Sequence, residues 1–469
     1  MRPRFRVILR RATARNPTSS STLSSTSSTK LTTMLTTKTR ISCFLSRFLM
    51  VKVLRRIVVV SAAIAVVYAG LTLWSVVALR HAYAALERDG RPMTAAEVIP
   101  PPVPDADNAA PLYEEAFRRL KSIKVAEYSS LLGELAHASR IVTVTNATPS
   151  ELTNFYQRIT QPEVQQVLDL VVKAGERKTC RFNLDYASAN GSIYTNISEV
   201  IGLTKIVRGE TRRLSDIGEN SNAWRMAIAG LRLAEANRME PFILSQLIET
   251  GNFALADSSL RRLCAVEPPT KENVERILAT LTRLDDPTVS RRRIDGERVF
   301  GETPFRNFTR RSVDKVFLFG EAYAWERCFY WCAGMSFRQL DHAAYLRMMR
   351  DKADISLSGR QSPVIVPRFY LLTRLCLPAI DHCRTACISH LARVRCTKAG
   401  LAALMYKKEH GAWPETLEVC MKQVPTDPFD GKPLRYRVTE KGFVVSRVGK
   451  EMHGKKEIAW EYEPIVGLR

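Results

Sequence analysis

The residues in this chain best suited to chemistry by type and spacing are its cysteines. Cys328 and Cys332 stand four apart, as do Cys383 and Cys387, with His390 three beyond the latter. On a helix this spacing puts each pair on one face, and two such helices face to face would offer thiolates to a tetrahedral metal or partners to a disulfide. Structural zinc sites draw more often on tight knuckle loops, and cysteine commonly fills apolar cores, so plain packing is the favoured reading and no metal ligand is assigned. A second group is acidic. Glu249 follows "SQLI" on an apolar helix, and "IDGERVFGE" clusters Asp295, Glu297 and Glu302 with Arg298. Two of these could form an acid–base pair, but salt bridges on helix faces explain the same residues. The aromatic run "AYAWERCFYWCAGM" reads as core, or as an exposed binding face, before it reads as a cofactor box.

The common catalytic motifs are missing. The sequence contains no Walker loop, no dinucleotide-binding glycine fingerprint, no H-E-x-x-H, no G-x-S-x-G and no C-x-x-C. Each encodes a local geometry that its enzyme class requires. Catalytic residues are therefore unassigned, and no cofactor is implied. Four N-x-S/T sequons, at Asn146, Asn190, Asn196 and Asn307, matter only in a eukaryotic secretory route.

What must position any site is a chain of 469 residues with 45% hydrophobic and 25% charged side chains, an ordinary globular composition. Its net charge of +23 is unevenly spread, because residues 1–56 hold thirteen Lys/Arg and no acid. The remaining 413 residues carry only +10, and "SRRRIDGER" and "FTRRSVDK" are short runs interrupted by acids. They read as solvated faces, so no nucleic-acid partner is expected.

Residues 57–79, "IVVVSAAIAVVYAGLTLWSVVAL", run twenty-three positions without a charge. As a helix they would reach about 35 Å, enough to cross a hydrocarbon core of about 30 Å. Trp74 suits an interfacial anchor. A cleaved signal peptide is the rival reading, with "AYA" at 82–84 as a small-x-small site, but the run exceeds the usual length of about 7–15 apolar residues and Arg80 follows it directly, so a retained anchor is favoured. Six Lys/Arg lie in residues 37–56 against three in residues 80–99, which predicts a cytoplasmic N-terminus and an extracytoplasmic body. Residues 1–49 are Ser/Thr-rich and acid-free. They read as a disordered tail or a misplaced start ahead of Met50, with an organellar presequence, and hence a mitochondrial inner-membrane protein, as the third reading. Nine of the ten cysteines follow the span, so they cannot all pair within one chain.

Beyond the span, five prolines between Pro100 and Pro111 predict a stiff extended stalk. Asp107 or Asn108 then caps a helix with Pro111 in its first turn. Helical signals continue to about residue 410: a Thr148-x-x-Glu151 capping box, Pro162 opening and Gly175 closing a helix, and apolar spacing of three and four on both sides of a break at Glu240-Pro241. Residues 180–196 and 352–367 read as irregular interruptions. No period near 34 residues is present, so an irregular bundle is expected rather than a repeat array. After Gly411 the pattern turns to strands: Leu434, Tyr436 and Val438 alternate, "TEKG" supplies a turn, "FVVSRV" returns, and "EIAWEY" offers a third strand. The helix ending in "LAALMYKKEHG" is the expected cover.

Residues 400–449 carry Tyr406, the Gly411-x-Trp413-Pro414 turn, Leu417, the Pro425-x-Asp427-Pro428 turn, Gly431, Tyr436 and a closing Ser446-x-x-Gly449. In these positions the segment resembles the C-terminal part of the major pseudopilin of type II secretion systems. The ending "DPFDGKPLRY" together with the lead-in "PDADNAAPLYEEAF", residues 104–117, is more closely similar to a group of membrane-anchored planctomycete-type bacterial proteins. The pseudopilin resemblance implies a helix-plus-hairpin fold. It does not extend to calcium, because Lys450, Lys455 and Lys456 stand where acidic ligands would be needed.

The sequence thus predicts a mainly α protein: a basic segment 1–56, a single transmembrane helix 57–79, a juxtamembrane and Pro-rich stalk 80–107, an irregular extracytoplasmic helical bundle 108–395, and a small C-terminal helix plus antiparallel β-hairpin 396–469. The expected role is binding or scaffolding in the inner (cytoplasmic) membrane, with the membrane and an envelope protein as partners. The alternative is an extracytoplasmic hydrolase using a Glu/Asp acid–base pair.

Overall fold

The computed structural model describes residues 28–123, 149–186, 196–306, 334–358, 366–367, 370–447 and 459–463. Cys328, Cys332, most of the "AYAWERCFYWCAGM" run, "FTRRSVDK", Thr148 of the capping box, the sequons at Asn146, Asn190 and Asn307, and residues 1–27 lie outside them. The chain divides into two compact units, Met1–Leu71 and Thr72–Arg469.

In the first unit every described residue belongs to helix α1, Ser28–Arg88. From Met50 to Arg88 this helix is long and apolar enough to cross a membrane, and its most apolar window is fully exposed. Residues 28–56 are helical, against the expectation of a disordered segment.

The second unit is a helical bundle with a small sheet at its C-terminal end. Its helices are α2 (Ala95–Val98), α3 (Ala110–Ser122), α4 (Pro149–Ile159), α5 (Pro162–Gly175), α6 (Ile197–Asp216), α7 (Asn220–Ala234), α8 (Ile243–Val266), α9 (Lys271–Leu284), α10 (Thr288–Gly301), α11 (Thr303–Arg306), α12 (Gly334–Ser358), α13 (Leu371–His410) and α14 (Leu417–Cys420). The break expected at Glu240-Pro241 separates α7 from α8, Pro162 opens α5 in its first turn as its fixed φ favours, and Gly175 is the last helical residue of α5 without taking the left-handed conformation. At the start of α3 the first residue outside the helix is Ala109, and Asn108 caps from one position earlier, its Oδ1 accepting from Ala110 N at 3.1 Å and Arg181 N at 2.9 Å.

The stalk expected over residues 80–107 is not free-standing. Residues 80–88 continue α1, where Ala82 and Leu86 are buried in one apolar cluster with Leu340, Ala343 and Leu346 of α12. Beyond it, Arg91 is buried and pairs with Asp295 at 3.0 Å, and Val98 is buried too. Residues 87–90, 94–97 and the stretch around Pro101, Pro102 and Pro104 are exposed between these buried points, so the segment lies along the body as a strap. The anchoring side chains outweigh the extended tendency of the prolines between them.

The boundary expected at residue 395 is also absent. α13 runs unbroken for 40 residues to Gly411, whose φ of +76° ends it in the left-handed conformation. Strands β1 (Arg435–Val438), β2 (Phe443–Ser446) and β3 (Ala459–Tyr462) form an antiparallel sheet in sequence order, with Tyr436 opposite Val445 and Val445 opposite Trp460. Leu434, Phe443, Val445 and Trp460 join the same apolar core as α3, α5 and α7, so the sheet is part of the body. Of the three side chains expected to face the helix, Val438 is exposed, because it sits at the last position of an edge strand.

Gly400 is where α13 meets this sheet. A Cβ there would lie 2.0 Å from Trp460 Cε3, and Trp460 is fully buried. Helix propensity favours alanine over glycine by up to about 1 kcal/mol, whereas overpacking costs about 1–3 kcal/mol. Gly400→Ala should therefore lower the thermal midpoint, while Gly251→Ala on α8, with nothing within 4 Å of its Cβ, should raise or preserve it. Parallel melting curves of the two variants test this reading.

Candidate functional site

Two features of the bundle concentrate charge. The first is a buried network between α8, α10 and α13. Arg293, 1% exposed, donates to Gln246 Oε1 at 2.6 Å, Glu249 Oε2 at 2.9 Å and the carbonyl oxygen of Asn237 at 3.0 Å. "SRRRIDGER" is thus not a wholly solvated face: Arg292 is exposed, but Arg293 and Arg298 are buried. Successive residues on a helix point about 100° apart, so three arginines in a row cannot share one environment. The inward one is neutralised by Glu249 from another helix.

Burial pushes the Glu249 carboxyl up, but Arg293, His390 and Arg238 outweigh it and hold it below its usual value. His390 Nε2 lies 3.5 Å from Glu249, and its ring packs edge-on to Phe253. Burial drives the imidazole down to about 4, with Glu249 only partly offsetting this, so His390 is neutral at pH 7. The other acids singled out by sequence also serve structure. Asp295 pairs with Arg91, Glu302 accepts from Arg298 at 3.2 Å, Arg306 at 2.7 Å and Tyr83 at 2.7 Å, and Glu297, raised by burial, accepts from Ile243 N at 3.3 Å. Cys383 and Cys387 are buried on α13 with thiols pushed up by burial to about 11 and 12, and His390 meets Glu249 rather than either sulfur.

The second feature is a pocket of about 250 Å³. Ala109 and Tyr113 form its wall at α3, the turn after α5 adds Lys178, Thr179 and Cys180, the end of α7 brings Arg232, Glu235, Arg238 and Met239, and the α9–α10 turn adds Arg283, Asp286, Val289 and Arg292. Gly175 allows α5 to cross α7 closely, since a Cβ there would stand 3.3 Å from Ala229 Cα. Asp286 shapes the α9–α10 turn by accepting from Thr288 N at 3.0 Å.

The polar groups of the pocket divide into occupied and under-used ones. Glu235 receives Arg283 in a two-pronged contact at 2.8 and 3.1 Å and also pairs with Arg232. Arg232 additionally donates to the carbonyls of Gly175 at 3.2 Å and Lys178 at 3.1 Å, closing the end of α5. Lys178 pairs with Asp107 at 3.0 Å. By contrast, Arg238 approaches Asp286 only at 3.5 Å and Glu249 at 3.9 Å, and Arg292 makes one bond, to the carbonyl of Arg238 at 2.8 Å. Among the described residues no carboxylate lies within ion-pair distance of Arg292. Loss of solvation lowers Arg232 to about 10 and also lowers Arg238, Arg283 and Arg292; neighbouring cations add to the effect at Arg232, Arg238 and Arg292.

The pocket escaped sequence reasoning because its residues come from four separated segments, none of which forms a motif. No known protein family, curated protein or solved structure matches the chain.

The neutral His390 has a measurable consequence. An unfolded chain takes up a proton near pH 6.5, whereas the folded one resists until about 4, so stability is complete above 6.5 and falls on acidification. Across that window the loss is about 3 kcal/mol, and the lowered Glu249 carboxyl adds to it as pH falls further. Thermal melts from pH 7 to 4.5 should show a falling midpoint that flattens in His390→Gln; an unchanged slope would remove His390 from this role.

Proposed function

We propose that this chain is a membrane-anchored envelope protein that binds or scaffolds and does not hydrolyse. The observation that carries the reading is the state of the pocket's carboxylates: Glu235 is engaged by two arginines, and Asp286 fixes a turn while facing Arg238. Neither is left to take or give a proton, and a hydrolase needs one carboxyl for each task. Of the other carboxyls raised by burial, Glu240 accepts from the Tyr186 hydroxyl at 2.6 Å and Glu297 from Ile243 N, while Glu114 is raised on the exposed side of α3. The donor-rich arginines suit holding a ligand.

In this reading residues 57–79 of α1 cross the inner (cytoplasmic) membrane. The excess of Lys/Arg in residues 37–56 supports a cytoplasmic N-terminus and an extracytoplasmic body. The C-terminal helix and sheet act as a structural cap of the pseudopilin-like kind. The lead-in that resembles the planctomycete-type proteins, residues 104–117, contributes Ala109 and Tyr113 to one wall of the pocket.

Crosslinking of the full chain in its native membrane, against an anchor-only control of residues 1–79, tests the proposal. A discrete envelope partner enriched above the control is expected. Equal recovery from both would sink the scaffolding role.

A further inference from the structure

We infer that the pocket takes a small organic phosphate ester, whose phosphate oxygens accept from Arg238 and Arg292 and whose carbon end lies against Tyr113, Met239 and Val289. The inference rests on the binding reading above and specifies its ligand. Three observations carry it.

The first is charge. Lys178, Arg232, Arg238, Arg283 and Arg292 line the pocket against two carboxylates, Glu235 and Asp286. Lys178 has its own partner in Asp107, and Glu235 is shared between Arg232 and Arg283. What remains is an excess of positive charge, which a phosphate monoester, dianionic near neutral pH, would match better than a single carboxylate.

The second is donor capacity. A guanidinium carries five N–H donors. Arg238 spends one on a long contact to Asp286 at 3.5 Å, and Arg292 spends one on a backbone carbonyl, so both retain donors for a tetrahedral oxyanion. Arginine pairs bind phosphate through just such forked contacts. The lowered affinity of these side chains for their own protons has a related cause: partial loss of solvation and neighbouring cations, offset in part by Glu249 and Asp286.

The third is the apolar part of the lining. Tyr113 is 1% exposed, and Val289 and Ala109 are buried beside the cations. A purely inorganic ion would leave this surface uncovered in a pocket of about 250 Å³.

The test uses the full chain in phosphatidylcholine nanodiscs and isothermal titration calorimetry with phenyl phosphate, inorganic phosphate and phenol. Phenyl phosphate should bind, inorganic phosphate more weakly, and phenol least. Arg238→Gln and Arg292→Gln should each weaken phenyl phosphate by about tenfold or more, the loss expected for a charge-assisted contact. Arg437→Gln, the same charge change on the exposed face of β1, should leave binding unchanged. Circular dichroism checks each fold. Arg292 is exposed, so its variant decides the matter even where Arg238→Gln unfolds.

Replacing part of the lipid with phosphatidic acid, whose headgroup is itself a phosphate monoester, separates the sources of the ester. Competition with phenyl phosphate points to a lipid headgroup, and undiminished binding points to a free ester; both support the assignment. No binding of phenyl phosphate, equal binding of phenol, or full affinity in both arginine variants overturns it. A crosslinked partner alongside silent calorimetry would remove the phosphate assignment alone, whereas failure of both would remove the binding reading with it.

Discussion

The pairing of Arg293 with Glu249 is the constraint around which the bundle is arranged. Both side chains are 1% exposed, and they come from different helices, α10 and α8. Taking either charge out of water alone is costly, and stranding one by removing its partner costs about 3–5 kcal/mol. The fold meets this demand with further contacts. Gln246 from α8 and the carbonyls of Asn237 and Glu240 complete the guanidinium, while His390 from α13 sits against the carboxylate as a neutral ring. The chain reversal between α7 and α8 must therefore present its carbonyls inward. That reversal is the same one that carries Arg238 and Met239 to the pocket.

Interior ion pair and pocket are thus two sides of one turn. Arg238 stands between them, with Glu249 on the inner side and Asp286 on the outer. Because Glu249 is already satisfied by Arg293, Arg238 is attracted to it without being consumed by it. A cation held near a neutralised carboxylate keeps its orientation and retains much of its field. This accounts for a positive pocket persisting beside a buried acid.

Much of the fold was legible in local patterns. Pro162, the Glu240-Pro241 break and Gly411 each act through their own backbone preferences, and each sits at or beside a helix boundary. The alternation of Leu434 and Tyr436 and the "TEKG" turn likewise specify β1 and β2 within a few residues. What was illegible depended on partners distant in sequence. The strap of residues 91–100 follows from Asp295, 204 positions after Arg91, and the inward face of Arg293 follows from Glu249. The site was hidden for the same reason: Tyr113, Arg238 and Arg292 become neighbours only after α3, α7 and α10 pack. The expected boundary at residue 395 came from a change in composition after Gly411, which marks a change of secondary structure within one core.

α13 gives that shared core a mechanical character. Its first turn is held by a side chain from another helix: Asp341 of α12 accepts from Leu372 N at 3.0 Å and from Thr373 N at 3.1 Å. Its far end carries the sheet through Gly400 and Trp460. Between them lies about 42 Å of helical rod, its hydrogen-bond ladder interrupted once, at Pro378. The sheet is therefore not a module that can be clipped off, exchanged or grown separately. A proteolytic cut anywhere in the middle of that rod would leave both fragments with a half-exposed helix, and a pull on the sheet would be carried along the rod toward the helices at its other end.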